Sequence, residues 1–132
     1  MGQHPKEEAD TVTILERIGH FLDEENQQLF DKLKKDGIDD HREISAHIGE
    51  SLDVQKILKH AANSLDGGYV MCGLIGHGDA FVMRDPNGIR PAFWFEDDEV
   101  VVVASERPVI QTAFNLSADQ IQEVAPGHAL II

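Results

Sequence analysis

The sequence contains very little cysteine, few aromatic residues and few basic side chains. One cysteine among 132 residues cannot form an internal disulfide, which excludes the small secreted proteins that disulfides hold together. Eleven Lys and Arg stand against 24 Asp and Glu, a formal net charge of −13. Because a surface of this sign repels phosphate backbones and anionic lipid, we expect no nucleic-acid partner and no membrane partner.

Long apolar runs are missing as well. No stretch approaches the roughly 20 apolar residues that span a bilayer, and the first ten residues, MGQHPKEEAD, contain no apolar signal core. Together with the single cysteine, this favours a cytoplasmic location. The length and the 42% of hydrophobic residues predict one domain, residues 1–132.

Helical periodicity dominates residues 1–66. Apolar side chains recur three or four positions apart in two stretches: Val12, Leu15, Ile18, Phe21, Leu22, Leu29, Phe30 and Leu33, then Ile44, Ile48, Leu52, Ile57 and Leu58. This spacing predicts two or three amphipathic helices. Asp10 is placed to cap the first helix and Gly37 to end it, while Ser51 or Asp53 would cap the last one after a break near residues 49–53.

Strand patterns dominate residues 67–132. The nearly continuous apolar run GGYVMCGLIG, residues 67–76, is typical of a strand buried on both faces, and HGD then turns into AFVMRD. AFWFEDDEVVVVASE predicts a second hairpin, ERPVIQTAF a short helix, and IQEVAPGHALII a final pair of strands around Pro126 and Gly127. Helices followed by antiparallel hairpins predict an α+β fold.

The loop RDPNGIRP, residues 84–91, is the most specific string in the chain. Pro, Asn and Gly in succession suit a tight turn, so turn chemistry alone would allow an ordinary solvated hairpin loop. The string is followed by VVASE and then by VAPGHALII. In this order and at this spacing, the pieces resemble the second half of the glutaminase domain of amidophosphoribosyltransferases, and the resemblance covers residues 67–132 strongly.

Among residues 1–66, only ADTVTIL resembles the family, in its Ser-Asp-Thr-Glu segment. The family pattern is not matched at Ala9, Val12, Ala92 and His128. The resemblance implies an incomplete αββα sandwich of the N-terminal-nucleophile (Ntn) hydrolase type, so that residues 1–132 form a partial type 2 glutamine amidotransferase domain. The residues of the family motif in this chain are Arg84, Asp85, Pro86, Asn87, Gly88, Arg90, Ser105 and Glu106.

The activity implied for the parent enzyme is hydrolysis of glutamine and transfer of its ammonia to phosphoribosyl pyrophosphate, giving phosphoribosylamine for purine biosynthesis. The resemblance assigns Asp10 to the α-ammonium group of glutamine, although an Asp at a helix start is also the commonest kind of cap. It implies no cofactor in this chain and Mg²⁺ with phosphoribosyl pyrophosphate in the parent transferase. The expected partners are glutamine, an N-terminal catalytic half and a transferase domain.

Cys72 lies in CGLIG, which looks like the opening of a class II amidotransferase. The nucleophile of that class uses its own α-amino group as general base and must therefore be the first residue of its chain. Because Met71 precedes Cys72, the nitrogen of Cys72 is an amide, which is not a base. We expect Cys72 to be a packed residue of an interior strand, and we expect this chain alone to have no catalytic residue and no activity.

Two further interpretations stay open. In the first, the chain is a standalone, non-catalytic binding module on the same scaffold. In the second, it is part of another class II amidotransferase. The seven histidines do not have metal-ligand spacing, so we expect no metal site. A sheet surface left uncovered would favour self-association, and we expect a homo-oligomer.

Overall fold

The structure is a computed structural model that describes residues 10–132, with side chains from Thr11 onward. It divides into two compact units at the junction between Leu65 and Asp66. The first unit is helical and the second is built from antiparallel strands and one α-helix, which confirms the predicted α+β class and the order of its two halves. The single-domain assignment and the sandwich architecture stay predictions.

Three helices make up the first unit: α1 spans Asp10–Lys35, α2 His41–Ser51 and α3 Val54–Ala62. Helix α1 packs against both α2 and α3. The buried side chains of α2, α3 and their junction are Ile44, Ile48, Leu52, Val54, Ile57, Leu58 and Ala61. This confirms the apolar face predicted for the second stretch, whereas Leu15 of the first stretch is 62% exposed.

The helix boundaries follow from local chemistry. Gly37 has φ +88 just after α1, a conformation that favours glycine and ends the helix as predicted. Of the two caps proposed for α3, the structure selects Asp53, whose Oδ1 accepts a hydrogen bond from the amide of Lys56 at 2.9 Å. Asp40 caps α2 in the same way, through the amides of Arg42 and Glu43.

Two three-stranded antiparallel sheets make up most of the second unit. The strands are β1 (Val70–Leu74), β2 (Ala80–Arg84), β3 (Phe93–Glu96), β4 (Val101–Ala104), β5 (Gln122–Glu123) and β6 (Ala129–Ile131). The first sheet has the order β1-β2-β6 and the second β4-β3-β5. The helix α4 (Arg107–Phe114) packs on β3 and β4.

The predicted hairpins β1–β2 and β3–β4 and the predicted helix α4 are all present. The last two strands lie on either side of Pro126 and Gly127 but do not pair with each other. Strand β5 pairs with β3, and β6 pairs with β2. The turn therefore carries the chain from one sheet to the other.

The expectation that β1 is an interior strand buried on both faces is wrong. Among the described residues, β1 pairs only with β2 and lies at the edge of its sheet. The central strand is β2, in which Phe81, Val82, Met83 and Arg84 are buried. An apolar run reports hydrophobicity but not the position of a strand within a sheet, and here the more buried strand has the shorter apolar run.

Candidate functional site

The family-motif loop begins where β2 ends and runs from Asp85 to Pro91. The amide of Gly88 donates a hydrogen bond to the carbonyl oxygen of Asp85 at 3.1 Å, which closes a tight turn over Pro86 and Asn87. Gly88 has φ +65, and a Cβ atom there would lie 2.8 Å from Cγ of Pro126. Both the backbone conformation and the close approach of Pro126 therefore require glycine at position 88.

The Asp85 side chain organises this loop from the inside. Asp85 is fully buried, and its Oδ1 accepts hydrogen bonds from the amides of Asn87 at 3.1 Å and Ile89 at 3.0 Å. Its Oδ2 accepts from the amide of Arg90 at 3.1 Å. Burial by itself raises the pKa of this carboxyl, but the amides of Ile89, Arg90 and Asn87 stabilise the carboxylate more strongly. The pKa therefore lies below its ordinary value of 3.8.

The Arg84 guanidinium joins the loop to the strand that arrives from the other sheet. Arg84 is 5% exposed. Its Nε donates to the carbonyl oxygen of Arg90 at 2.6 Å and its Nη2 to that of Gly88 at 3.0 Å. Its Nη1 donates to Oε1 of Glu123 and to the carbonyl oxygen of Val124, both at 2.6 Å. All three nitrogen atoms of the planar group are used within the protein.

Backbone hydrogen bonds extend the same junction to the Pro126–Gly127 turn. The amide of Gly127 donates to the carbonyl oxygen of Asp85 at 3.0 Å, and the amide of Arg84 donates to that of His128 at 3.0 Å. On the other side, the amide of Asp85 donates to the carbonyl oxygen of Tyr69 at 2.9 Å. We call the Arg84 and Asp85 side chains, with the backbone groups they bind, the Arg84–Asp85 latch. It holds the 85–91 loop at the crossing between the two sheets.

The other predicted site residues are placed differently. Pro86, Asn87 and Arg90 are exposed on the loop, and Arg90 contributes its backbone to the latch rather than its guanidinium. Ser105 and Glu106 are exposed at the junction of β4 and α4. The structure therefore brings residues 84–90 together in one hydrogen-bonded loop. Ser105 and Glu106 form no side-chain hydrogen bond with that loop in the described part of the chain.

Asp10, assigned to the ammonium group of glutamine, is the first residue of α1. Its side chain lies outside the described residues. The assignment therefore stays a prediction, as does the alternative that Asp10 caps the helix.

Cys72 lies in the middle of β1, opposite Val82 of β2. Contrary to the expectation of a packed side chain, Cys72 is exposed. The reason is the edge position of β1, which leaves one side of the strand open. The amide nitrogen of Cys72 remains a peptide nitrogen within a strand, so the argument against a nucleophile that activates itself is unchanged.

Sequence reasoning missed the residues that complete the latch from outside the loop. Glu123 and Val124 follow Arg84 by 39 and 40 residues, and no local pattern relates them. Tyr69 is half-buried, and burial followed by the charge of Asp85 raises the pKa of its phenol above 10.0. The one available signal was the dipeptide Pro126-Gly127, because such turns often lie where a chain changes direction.

A second concave region lies between α1 and α3 in the helical unit. It is lined by Phe21, Glu24, Glu25, Gln28, Lys56, Ile57 and His60. The ammonium group of Lys56 forms an ion pair with Glu25, and hydrogen bonding to that carboxylate raises the pKa of Lys56. Lys56 and Glu25 thus neutralise each other, whereas the side chains of Glu24 and His60 form no ion pair among the described residues.

The donor groups of the described residues do not fit a metal. Among residues 10–132, no group of three or more His, Cys, Asp or Glu side chains is arranged to hold a metal ion. The Mg²⁺ implied for the parent transferase has no matching ligand set in this part of the chain. In the same residues, no helix is both long and apolar enough to cross a membrane.

Comparison with known proteins finds likeness among solved structures only. No family model and no curated protein matches the chain. A glutamine phosphoribosylpyrophosphate (PRPP) amidotransferase from B. subtilis, solved in complex with ADP and GMP, is similar at 28% sequence identity and a TM-score of 0.47. The match covers 80% of this chain and 24% of the B. subtilis chain, so the present chain spans about a quarter of that protein's length. At a TM-score below 0.5, the likeness does not by itself establish a common fold.

Proposed function

We propose that this chain is a non-catalytic scaffold segment of a glutaminase domain of the amidophosphoribosyltransferase type. The observation that carries the proposal is the Arg84–Asp85 latch. It uses the string RDPNGIRP almost residue by residue, and it fixes a loop at the crossing between two sheets.

The first five residues of the string each have a structural task. The Arg84 guanidinium reaches four oxygen atoms, and the Asp85 carboxylate accepts three backbone amides. Pro86 and Asn87 form the turn, and Gly88 provides the positive φ. A string that must meet this many geometric requirements at once is unlike an ordinary hairpin loop. It supports the resemblance to the amidotransferase family more strongly than the turn residues alone do.

The same contacts argue against a catalytic role for the two charged residues of the latch. A group that binds or activates a substrate must have a hydrogen-bonding position left for it, and it must be accessible. Asp85 is completely buried and Arg84 is 5% exposed, and both are occupied by the protein itself. Their contribution to glutamine hydrolysis in a complete enzyme is therefore to hold the sheets in place.

In the proposed parent reaction, a cysteine thiol attacks the side-chain amide of glutamine and releases ammonia, and water then hydrolyses the resulting thioester to glutamate. The ammonia displaces pyrophosphate from phosphoribosyl pyrophosphate, which gives phosphoribosylamine. In this proposal the nucleophile comes from outside the 132 residues, because Cys72 cannot supply the α-amine that the chemistry needs. Asp10 would contribute a carboxylate to the α-ammonium group of glutamine.

Ammonia release from L-glutamine by the purified, folded chain tests the absence of catalysis, with Cys72→Ser alongside. We expect no release from either protein above a blank without protein. Release by the wild type that is lost in Cys72→Ser would overturn the proposal, because Cys72 would then be the nucleophile.

Binding of glutamine is tested separately by NMR titration of the labelled chain. We expect L-glutamine to shift backbone signals near the start of α1, and glutaramate, which lacks the α-ammonium group, to have no effect. Asp10→Asn should remove the response, and Asp23→Asn, an exposed aspartate further along α1, should retain it. A response that survives Asp10→Asn would place the ligand elsewhere, and no response at about 10 mM glutamine, a concentration above usual enzyme KM values, would remove glutamine binding from the proposal.

A further inference from the structure

The outer edge of β1 has the features of a strand that pairs with another strand. In the β1–β2 hairpin, the carbonyl oxygen of Tyr69 accepts from the amide of Asp85, and the amide of Ile75 donates to the carbonyl oxygen of Asp79. Antiparallel pairing alternates, so the odd-numbered residues of this strand bond to β2. The backbone groups of Val70, Cys72 and Leu74 therefore point to the opposite edge, where no strand pairs with them in the described part of the chain.

This edge lacks three of the devices that usually keep sheet edges apart, namely charge, proline and a bulge. Proteins protect edge strands with charged side chains, prolines, bulges or short length. The strand Val70–Leu74 contains no charge and no proline. Its register with β2 is continuous over all five positions, without a bulge. Leu74, at its end, is 85% exposed.

Charge determines which partner fits. The chain has a net charge of −13, yet the ten residues from Gly67 to Gly76 carry no charged side chain. A partner recognised through charge would need complementary groups, and the strand presents none. A second copy of this chain, however, can place its own uncharged strand here with the acidic residues of both copies outside the seam.

The strand is also complementary to itself. Cys72 lies beside Val82, which lies beside Leu130 in β6. If two copies pair antiparallel about Cys72, the row across the seam reads Leu130, Val82, Cys72 and then the same three residues of the second copy in reverse. In this register Leu74 of each copy lies opposite Val70 of the other, so the most exposed leucine of the strand gains an apolar neighbour.

We infer that β1 is a homodimerisation strand: two copies pair antiparallel through Val70–Leu74, with Cys72 opposite Cys72, and join their three-stranded sheets into one of six strands. This inference is independent of the proposed function. Stable interfaces bury about 1,200–2,000 Å² in total, and a single pair of five-residue strands is smaller than such an interface. We therefore expect a weak dimer, with a Kd of about tens of micromolar.

Analytical ultracentrifugation of the full chain at about 5–200 µM, a range around the expected affinity, provides the first test. We expect a monomer–dimer equilibrium that shifts toward dimer as NaCl is added, because salt screens the repulsion between two acidic bodies. Leu74→Lys places a charge at the edge and should weaken the dimer about tenfold or more. Val109→Lys makes the same charge change on α4, where Val109 is 55% exposed, and should leave the equilibrium unchanged.

Disulfide trapping tests the register. In a hydrogen-bonded antiparallel pair the Cα atoms are about 5.5 Å apart, within the range that a disulfide spans. Copper phenanthroline with oxygen as the oxidant should therefore link the wild-type chain through Cys72. The matched control is Cys72→Ser with Leu74→Cys, in which the two thiols lie about 13 Å apart along the seam and should not link.

Three outcomes would overturn the inference. One is a monomer at the highest concentration. A second is a dimer that Leu74→Lys leaves intact, because the contact would then lie on another surface. The third is trapping of the position-74 variant as fast as the wild type, because that would exclude the register centred on Cys72.

Discussion

The Nη1 atom of Arg84 lies 2.6 Å from the carbonyl oxygen of Val124, a residue 40 positions further along the chain. Arg84 ends β2 of the first sheet, and Val124 immediately follows β5 of the second. One buried side chain thus joins two sheets that no backbone ladder connects among residues 10–132. This relationship makes the guanidinium a determinant of stability in the sheet unit, and its replacement is the most direct test of the latch.

Arg84→Lys should destabilise the sheet unit by about 2–4 kcal/mol, although it keeps the charge. A lysine cannot reproduce the planar fork, so buried carbonyl oxygens lose their donors and a buried ammonium group lacks acceptors in the right places. Urea unfolding followed by the fluorescence of Trp94, the only tryptophan, reports on this unit. Arg90→Lys is the matched control, because the Arg90 side chain is exposed and should change stability by less than about 0.5 kcal/mol. Equal effects of the two variants would contradict the role of the latch.

Asp85 should make the stability of the sheet unit fall as the solution is acidified. The pKa of its carboxyl is below 3.8 in the folded chain and returns to its ordinary value on unfolding. The unfolded state therefore binds a proton first. The contribution of Asp85 to stability is complete above about pH 4 and is lost as pH falls through the folded pKa.

Unfolding midpoints measured from pH 7 down to about pH 2, the range that covers the Asp titration, test this dependence. Asp85→Asn should lower stability at neutral pH and flatten the acid dependence, because an amide does not titrate. Asp98→Asn, at the exposed tip of the β3–β4 hairpin, should keep both the stability and the slope of the wild type. An acid dependence that is identical in Asp85→Asn and the wild type would show that other carboxyls cause it.

Much of this arrangement could be predicted from the sequence. The parts that could not be predicted share one physical cause. Turn residues act locally, so Pro86, Asn87 and Gly88 predict a tight turn from the sequence alone. Apolar spacing identified the α2–α3 face in the same way. Which strands become neighbours is decided by tertiary packing, so neither the exposure of Cys72 nor the partner of Arg84 could be read from a local window.

The chemistry of Arg84 and Asp85 shows that each needs hydrogen-bond partners if it is buried. It does not show which residues provide those partners. A buried guanidinium must be bonded, but its acceptors were two carbonyl oxygens of its own loop and two groups about forty residues away. The resemblance to a glutaminase indicated which loop matters. It did not reveal which oxygen atoms and amides the charged residues of the loop bind within the protein.

Gly88→Ala should be more damaging than the same change at either of two other glycines. At position 88 the new methyl group meets Pro126 Cγ at 2.8 Å and the backbone has φ +65, so we expect a loss of about 1–3 kcal/mol. Gly78 has φ +119 but open space around it, so Gly78→Ala tests backbone strain alone. Gly76 has open space and no positive φ, and Gly76→Ala should be nearly neutral. A loss at Gly88 no larger than that at Gly78 would mean that the Pro126 contact yields without cost.

The only tyrosine gives a spectroscopic view of the same junction. Burial, and then the nearby charge of Asp85, raise the pKa of the Tyr69 phenol above 10.0. Ultraviolet titration of the folded chain should therefore show a midpoint above the value obtained in urea. Asp85→Asn should move that midpoint part of the way down, because the charge is removed while the burial remains.

The sign of the linked effect on stability follows from the same shift. The unfolded chain ionises its tyrosine near pH 10 while the folded chain still holds the proton, so stability is unaffected below about pH 10 and falls as pH rises above it. Tyr69→Phe should remove that part of the alkaline decline and leave the acid dependence of Asp85 in place. If the midpoint in the folded chain equals that in urea, Tyr69 is fully solvated and does not face the carboxylate at the crossing of the two sheets.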